Sequence, residues 1–287
     1  MSDTLLIGWD VGGWNCDRNR LSRDALVVLD DSLHIRGKPW RGNLRSLINQ
    51  AKSTPAFIRE LLANCQVVSS LSDELPVVLG IDTPLGFSSE LIDLLVNRKP
   101  VPAVESSSTN PYLFRFTERF LFERGLSPLS SIKDMIGSQA TKGMHVLGRF
   151  MPHAVQCGVW SDNACASAIE VYPSSAKRSM LVNELRLQCL QRSGVNSAEW
   201  HEDEQDALTC ALLAWLYKIE PGSMVWPPAD TPYREGWIFV PKDCLVGDGE
   251  VKGDHDDYPA VCPRPDHTSE AEIDPFAAHT SSLGNSA

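Results

Sequence analysis

Apolar residues along this chain fall into short runs that stop at an acid, a proline or a glycine, separated by stretches of helical spacing. "TLLIGWD" is a short apolar strand ending at Asp10, just before the glycine pair Gly12 and Gly13. "DALVVLDDSLHIRG" predicts two strands joined by a polar turn at Asp30-Asp31-Ser32, so the chain should begin as an antiparallel meander. Helical material follows from about Leu44, and Thr54-Pro55 reads as the N-cap and first position of a second helix running to Cys65. "PVVLGID" is a continuous apolar strand of the kind buried on both faces of a parallel sheet, and Pro84 and Gly86 end it.

Residues 88–150 are too many for a simple connection. Within "NPYLFRFTERFLFERG", Leu113, Phe116, Phe120 and Leu121 follow helical spacing, Arg115 and Arg119 share another face, and Gly125 is a natural stop. A further helix is expected over Ile136–Phe150. "SAIEVYPS" predicts a strand ended by Pro173, followed by a helix from about Ser175 to Arg192. "EDEQDALTCALLAWLYKIEPG" carries the strongest helical signal, with acids in its first turn, a long apolar body and a Pro-Gly stop. "GWIFVP" gives a last short strand. A strand meander followed by strands alternating with helices predicts an α/β fold, a mixed sheet covered on its faces.

Composition refines this picture at the C-terminus. From Asp243 onward ten acids stand against Lys252 and Arg264, so most of the formal charge of −11 belongs there. That segment is rich in Asp, Pro, Gly and Ser and lacks an apolar period. It predicts an acidic disordered tail over 243–287, behind one domain over 1–242 with a helical insertion at about 88–150. The eight cysteines form no Cys-x-x-Cys pair and read as reduced thiols. No apolar run is long enough to span a bilayer, and no basic leader precedes the first strand, so a cytoplasmic protein without membrane contact is expected.

The candidate chemistry is carboxylate chemistry. Asp82 repeats the design of Asp10, an apolar strand ending in an aspartate and a turn. If the two strands are sheet neighbours, both acids emerge at one edge, where ligands of open α/β sheets bind. Glu170 interrupts a strand between Ile169 and Val171, where a lone charge is costly unless paired or liganded. Asp206 heads the strongest helix, with Asp203 three residues earlier. Clustered acids without neighbouring cations call for Mg²⁺ or Mn²⁺, which accept oxygen ligands and retain open positions. Plainer readings stand beside these: turn chemistry for Asp10, a cap for Asp82, an arginine partner or an exposed edge for Glu170, and complementing the helix dipole for Asp203. Asp206 can be read either way.

Taken together, "IGWDVGGW", "GIDTPLGF", "NPYLFRFTERFL", "IEVYPSSAKR", "DEQDALTCALLAWLY" and "EGWIFVP" resemble the domain-of-unknown-function family four-twenty-nine, whose members are predicted nucleases of RNase H-like fold. The resemblance covers roughly residues 5–241. It implies a central first strand flanked by the strand bearing Asp82, with Asp10, Asp82, Glu170 and Asp206 at the positions of metal-binding acids. The insertion departs from a minimal RNase H domain. Between Pro111 and Phe150 it carries Arg115, Arg119, Arg124, Lys133, Lys142 and Arg149 against Glu118, Glu123 and Asp134, beside several aromatic residues. Cations for phosphates and rings for bases suit a nucleic acid or nucleotide substrate, with Arg115 and Arg119 the candidate binding residues, whereas most of the phenylalanines read as core.

The leading expectation is therefore a metal-dependent nuclease or phosphodiesterase. Asp10 would bridge two cations, Asp82 and Asp206 would bind one each, and Glu170 would complete the set or orient water. Two alternatives belong to other classes. One is a phosphotransferase of the actin-like superfamily, whose phosphate loops also place Asp and Gly after apolar strands. The other is a non-catalytic binding protein on this fold.

Overall fold

The computed structural model describes residues 4–67 and 75–245. Nearly all of the predicted acidic tail lies outside the described residues. The strands are β1 (Leu5–Asp10), β2 (Asp24–Asp30), β3 (Trp40–Gly42), β4 (Val77–Asp82), β5 (His153–Gln156), β6 (Val159–Ser161), β7 (Ala166–Val171) and β8 (Ile238–Phe239). Together they form one mixed sheet in the order β3-β2-β1-β4-β7-β6-β5, with β8 also paired to β7. The central strands β1, β4 and β7 run parallel, while β2 and β6 run antiparallel to their neighbours β1 and β7. This is the α/β class that the alternating pattern predicts.

The helices are α1 (Arg45–Gln50), α2 (Thr54–Asn64), α3 (Ser89–Asn97), α4 (Phe116–Phe122), α5 (Gly137–Phe150), α6 (Pro173–Ala176), α7 (Met180–Ser193) and α8 (Glu202–Ile219). Strand alternation divides the core in two. Leu6 and Val78 pack with α7 and α8, while Leu5, Ile7, Trp9, Leu79 and Ile81 pack with α1, α2 and α5.

Several local expectations shift. The third strand of the meander is Trp40–Gly42 and not "LHIRG". The Asp30 carboxylate accepts the Ser32 and His34 amides at 3.0 and 2.9 Å, and the segment that follows pairs with β2 through a single bridge between Leu29 and Ile35 instead of a strand. The β5–β6 hairpin gives no pattern in sequence because β5 is mostly exposed. The helix expected over 175–192 is two helices, since the Ser179 hydroxyl accepts the Val182 amide at 3.0 Å and starts α7 afresh. Ser53, not Thr54, caps α2; the Thr54 hydroxyl donates instead to the Phe150 carbonyl. The packed chain also passes the expected boundary at 242, because Cys244 is buried and Asp243 accepts the Leu181 amide at 3.0 Å.

One packing feature positions the site. Gly8 and Gly80 are register partners on β1 and β4, and α8 lies directly on them. A Cβ at Gly8 would stand 1.9 Å from the Ala207 carbonyl oxygen, and one at Gly80 would stand 2.4 Å from the Cys210 carbonyl oxygen. Only bare backbone allows the helix so close. Asp10 and Asp82 lie two residues further along the same strands and therefore on the same face, and Asp206 immediately precedes the contact residue Ala207.

Gly8→Ala is accordingly expected to destabilise the protein by about 3 kcal/mol or more, because the clash is with helix backbone and cannot be relieved by a side-chain rotation. A urea midpoint within error of wild type would show that α8 does not seat on β1 as described.

Candidate functional site

Asp10 and Asp82 end two adjacent parallel strands and are direct partners in the register. Neighbouring strands lie about 4.8 Å apart, so the two carboxylates leave one sheet edge side by side, under the first turns of α8. Neither has a hydrogen-bond donor or ion-pair partner among the described residues. Burial raises the Asp10 carboxyl well above its usual range, and the charges of Asp82, Asp203, Asp206 and Asp24 raise it further. Burial, followed by Asp206 and Glu170, pushes Asp82 up to about 8. Asp206, also raised by burial, has a long ion pair from its Oδ1 to Lys177 Nζ at 3.8 Å, and this exposed lysine also reaches Glu202 at 4.0 Å.

Asp203 is held differently. Its Oδ2 accepts the Arg41 Nε at 2.6 Å and the Arg23 amide at 2.9 Å. It is a buried partner of β3, more than the dipole complement that its place on the helix suggests.

Glu170 does not join the aspartates. It is register partner to Ile81 and alternates with Ala166 and Ala168, whose face carries α1, α2 and α5, whereas Asp10 and Asp82 alternate with Gly8 and Gly80 under α8. It therefore leaves the sheet on the opposite side. There Arg115 binds it through both terminal nitrogens, Nη1 to Oε2 at 2.8 Å and Nη2 to Oε1 at 2.6 Å, while the Leu85 amide also donates to Oε2. Glu170, expected as a metal ligand, is the carboxylate of a buried ion pair.

Arg115 is corrected by the same contacts. Its Nε donates to Glu118 at 2.8 Å, Nη1 also donates to the Glu235 carbonyl at 3.0 Å, and Nη2 also meets Glu118 at 2.6 Å. All five N–H groups are satisfied and the residue is buried, so none remains for a phosphate. Nor does Arg115 share a helix face with Arg119, because it precedes α4 as its N-cap. Arg119 stays half-buried, with no carboxylate partner among the described residues.

A second buried pair escaped the sequence. Asp24, at the start of β2, accepts Trp9 Nε1 at 3.1 Å, the Gly12 amide at 3.0 Å and the Leu44 amide at 2.7 Å, and it pairs with Lys142 Nζ. Lys142 also donates to the Gly12 carbonyl at 3.1 Å. Burial raises the Asp24 carboxyl, and Lys142 offsets part of that. The signal lay in α5, where Lys142 falls on the buried stripe with Val146, Leu147 and Phe150. These bonds also count against a phosphate loop at Gly12 and Gly13, since the Gly12 amide already donates to Asp24.

The residues that could hold a cation are thus Asp10, Asp82 and Asp206. Among the described residues, no group of three or more His, Cys, Asp or Glu side chains stands arranged around a common metal position. No family model, curated protein or solved structure matches the chain. The family resemblance rests on its motifs alone. No helix among the described residues is long and apolar enough to cross a membrane.

Removing the Arg115 charge tests the reassignment. Arg115→Met should cost about 3–5 kcal/mol in a denaturant titration, because it leaves Glu118 and Glu170 buried without a cation. Arg119→Ala should stay within about 0.5 kcal/mol of wild type. Comparable losses for the two would mean that Arg115 is not the structural partner of these acids.

Proposed function

We propose that this chain is a metal-dependent phosphodiesterase, a nuclease of RNase H-like fold, acting through Asp10, Asp82 and Asp206. The observation that carries the reading is the in-register pair Asp10 and Asp82, two sheet-edge carboxylates with no donor among the described residues. The position of β1 in the sheet, flanked by the strand bearing Asp82, supports the fold that the motifs imply. Glu170 and Arg115, engaged with each other on the other face, are left out of the mechanism.

The donor set fits a hard divalent cation. Three carboxylates from two strands and a helix supply oxygen ligands only, as Mg²⁺ or Mn²⁺ prefer, and their repulsion gives binding a driving force. When bound, the cation supplies charge that steadies phosphoryl oxygens and lowers the pKa of water. Asp10, repelled by four other acids, would hold it from the β1 edge, and Asp82 and Asp206 would hold it from β4 and α8. Without a cation, the burial and mutual repulsion that raise both Asp10 and Asp82 favour a proton on the pair. Lys177 restrains Asp206 in that state and is free to turn towards a phosphate oxygen.

Two measurements test this. Millimolar Mn²⁺ or Mg²⁺ should raise the melting temperature, by the equivalent of about 2.7 kcal/mol at 100 times Kd. Asp10→Asn should remove most of that response and the hydrolysis of a phosphodiester substrate such as bis(p-nitrophenyl) phosphate. A response unchanged in Asp10→Asn would sink the assignment.

The second measurement uses pH. Because Asp82 has a folded-state pKa raised to about 8 from an ordinary 3.8, the folded state keeps a proton that the unfolded state loses. This favours folding fully below about pH 4, and the advantage declines as pH rises through 8, by up to about 1.4 kcal/mol per pH unit for one whole proton. In the metal-free protein, wild type should therefore lose stability relative to Asp82→Asn between pH 4 and 8. Parallel curves would show that Asp82 is ordinary.

A further inference from the structure

The aromatic and basic stretch around α4 is left over once Arg115 is assigned to the core. Two cavities of about 480 and 530 Å³ adjoin there, sharing Phe122 and Ser108 in their walls. Phe116, Phe120 and Arg119 line the first, and Phe114 and Lys133 the second. Each is the size of a small-molecule site. Phe116 and Phe120 lie 25° from parallel with centroids 6.4 Å apart, and Phe122 stands edge-on to Phe114 at 4.9 Å.

The charges in this groove are unequal in availability. Neither Arg119 nor Lys133 has a carboxylate partner among the described residues. Of the acids in the walls, Glu123 lies 3.5 Å from Arg124, and Asp134 accepts the Ser130 amide at 2.8 Å. With Glu123 set against Arg124, Arg119 and Lys133 outnumber Asp134 by one, and the groove keeps a small cationic excess in a chain whose total is −11.

The groove also adjoins the carboxylate edge. Ser127 lines the second cavity, and its carbonyl accepts the Tyr172 hydroxyl at 2.8 Å. Tyr172 lies two residues beyond Glu170, whose register partner Ile81 directly precedes Asp82, and burial followed by the Asp82 charge raises the Tyr172 hydroxyl. Tyr172 and Ser127 thus join the carboxylate edge to the second cavity, which shares Phe122 with the cavity lined by Arg119.

We propose that this groove binds single-stranded nucleic acid and leads it to Asp10 and Asp82. The inference rests on the phosphodiesterase reading and names its substrate class. The half-buried rings of Phe116 and Phe122, backed by the buried Phe120 and Phe114, serve unstacked bases, which a duplex keeps inside its stack, and two adjoining cavities suit successive nucleotides better than one free nucleotide. Arg119 and Lys133 take the intervening phosphates.

The test is fluorescence anisotropy with a labelled twelve-nucleotide thymidine strand and a twelve-base-pair duplex, in EDTA so that nothing is cleaved. The strand should bind at least about 10-fold tighter than the duplex. In the Arg119→Ala/Lys133→Ala double variant its salt slope should fall by about 1.4, the value for two single-strand phosphate contacts. Phe122→Ala should weaken binding about 5-fold or more with the slope unchanged, the low end for one lost base stack. Equal binding of strand and duplex, a double variant that binds like wild type, or equal competition by polyglutamate would overturn the proposal. The Mn²⁺ melting response separates the two readings. If it persists while the strand does not bind, the groove assignment fails alone; if the strand binds through these residues without any Mn²⁺ response, the carboxylate reading fails alone.

Discussion

The seating of α8 on Gly8 and Gly80 fixes the geometry on which the candidate site depends. A helix held off by side chains would cross the sheet at the usual separation and leave the ends of β1 and β4 open to water. Here its carbonyls come within a side chain's reach of the strand backbone. The descent brings Asp206 down beside Asp10 and Asp82 and leaves the three half-buried. Burial then becomes the largest influence on all three acids. The same packing that stabilises the sheet through the apolar body of α8 thus makes three adjacent negative charges costly.

Charge is divided between the two faces of the sheet by strand alternation. On the face of α1, α2 and α5, Asp24 and Glu170 have dedicated cations in Lys142 and Arg115, both supplied by the segment 88–150. On the face of α8, Asp10 and Asp82 have none among the described residues. The insertion is therefore part of the core, since its removal would strand two buried carboxylates at a cost of several kcal/mol each. Among its remaining cations, Arg119 and Lys133 differ from Arg115 and Lys142 in lying outside this network.

Much of this was legible in the sequence, and the failures share a cause. "TLLIGWD" and "PVVLGID" announce buried strands through unbroken apolar runs, and their matching aspartates make the shared edge a reasonable inference. Glu170 was visible as a charge that needed a partner. Its side of the sheet was not, because β7 is apolar on both sides of Glu170 and so carries no clear alternation from which to count parity. A single residue of register separates a co-ligand from an ion pair on the opposite face. Arg115 misled for a related reason. Four-residue spacing puts Arg119 on its face only if both are helical, and α4 begins one residue later. Asp24 reads as an ordinary strand-start acid, and nothing local indicates that a lysine 118 positions away completes it.

The acids of the site differ in how their charge can be relieved. Asp203 is fixed by the Arg41 guanidinium at 2.6 Å, and Asp206 is restrained by an exposed lysine at 3.8 Å. An exposed pair of that length contributes under about 1 kcal/mol, so an incoming cation can displace Lys177 at little cost. Asp10 and Asp82 differ from both, because the sheet register imposes their proximity. At roughly 4.8 Å and an effective dielectric of 20, two such charges repel by about 3–4 kcal/mol. Rotating either side chain relieves only part of this while the strands remain paired. A proton relieves it, at the expense of one charge, and a divalent cation relieves it while both remain ionised. Which of the two the folded chain takes is then a matter of pH and cation concentration, and the backbone has already made one of them necessary.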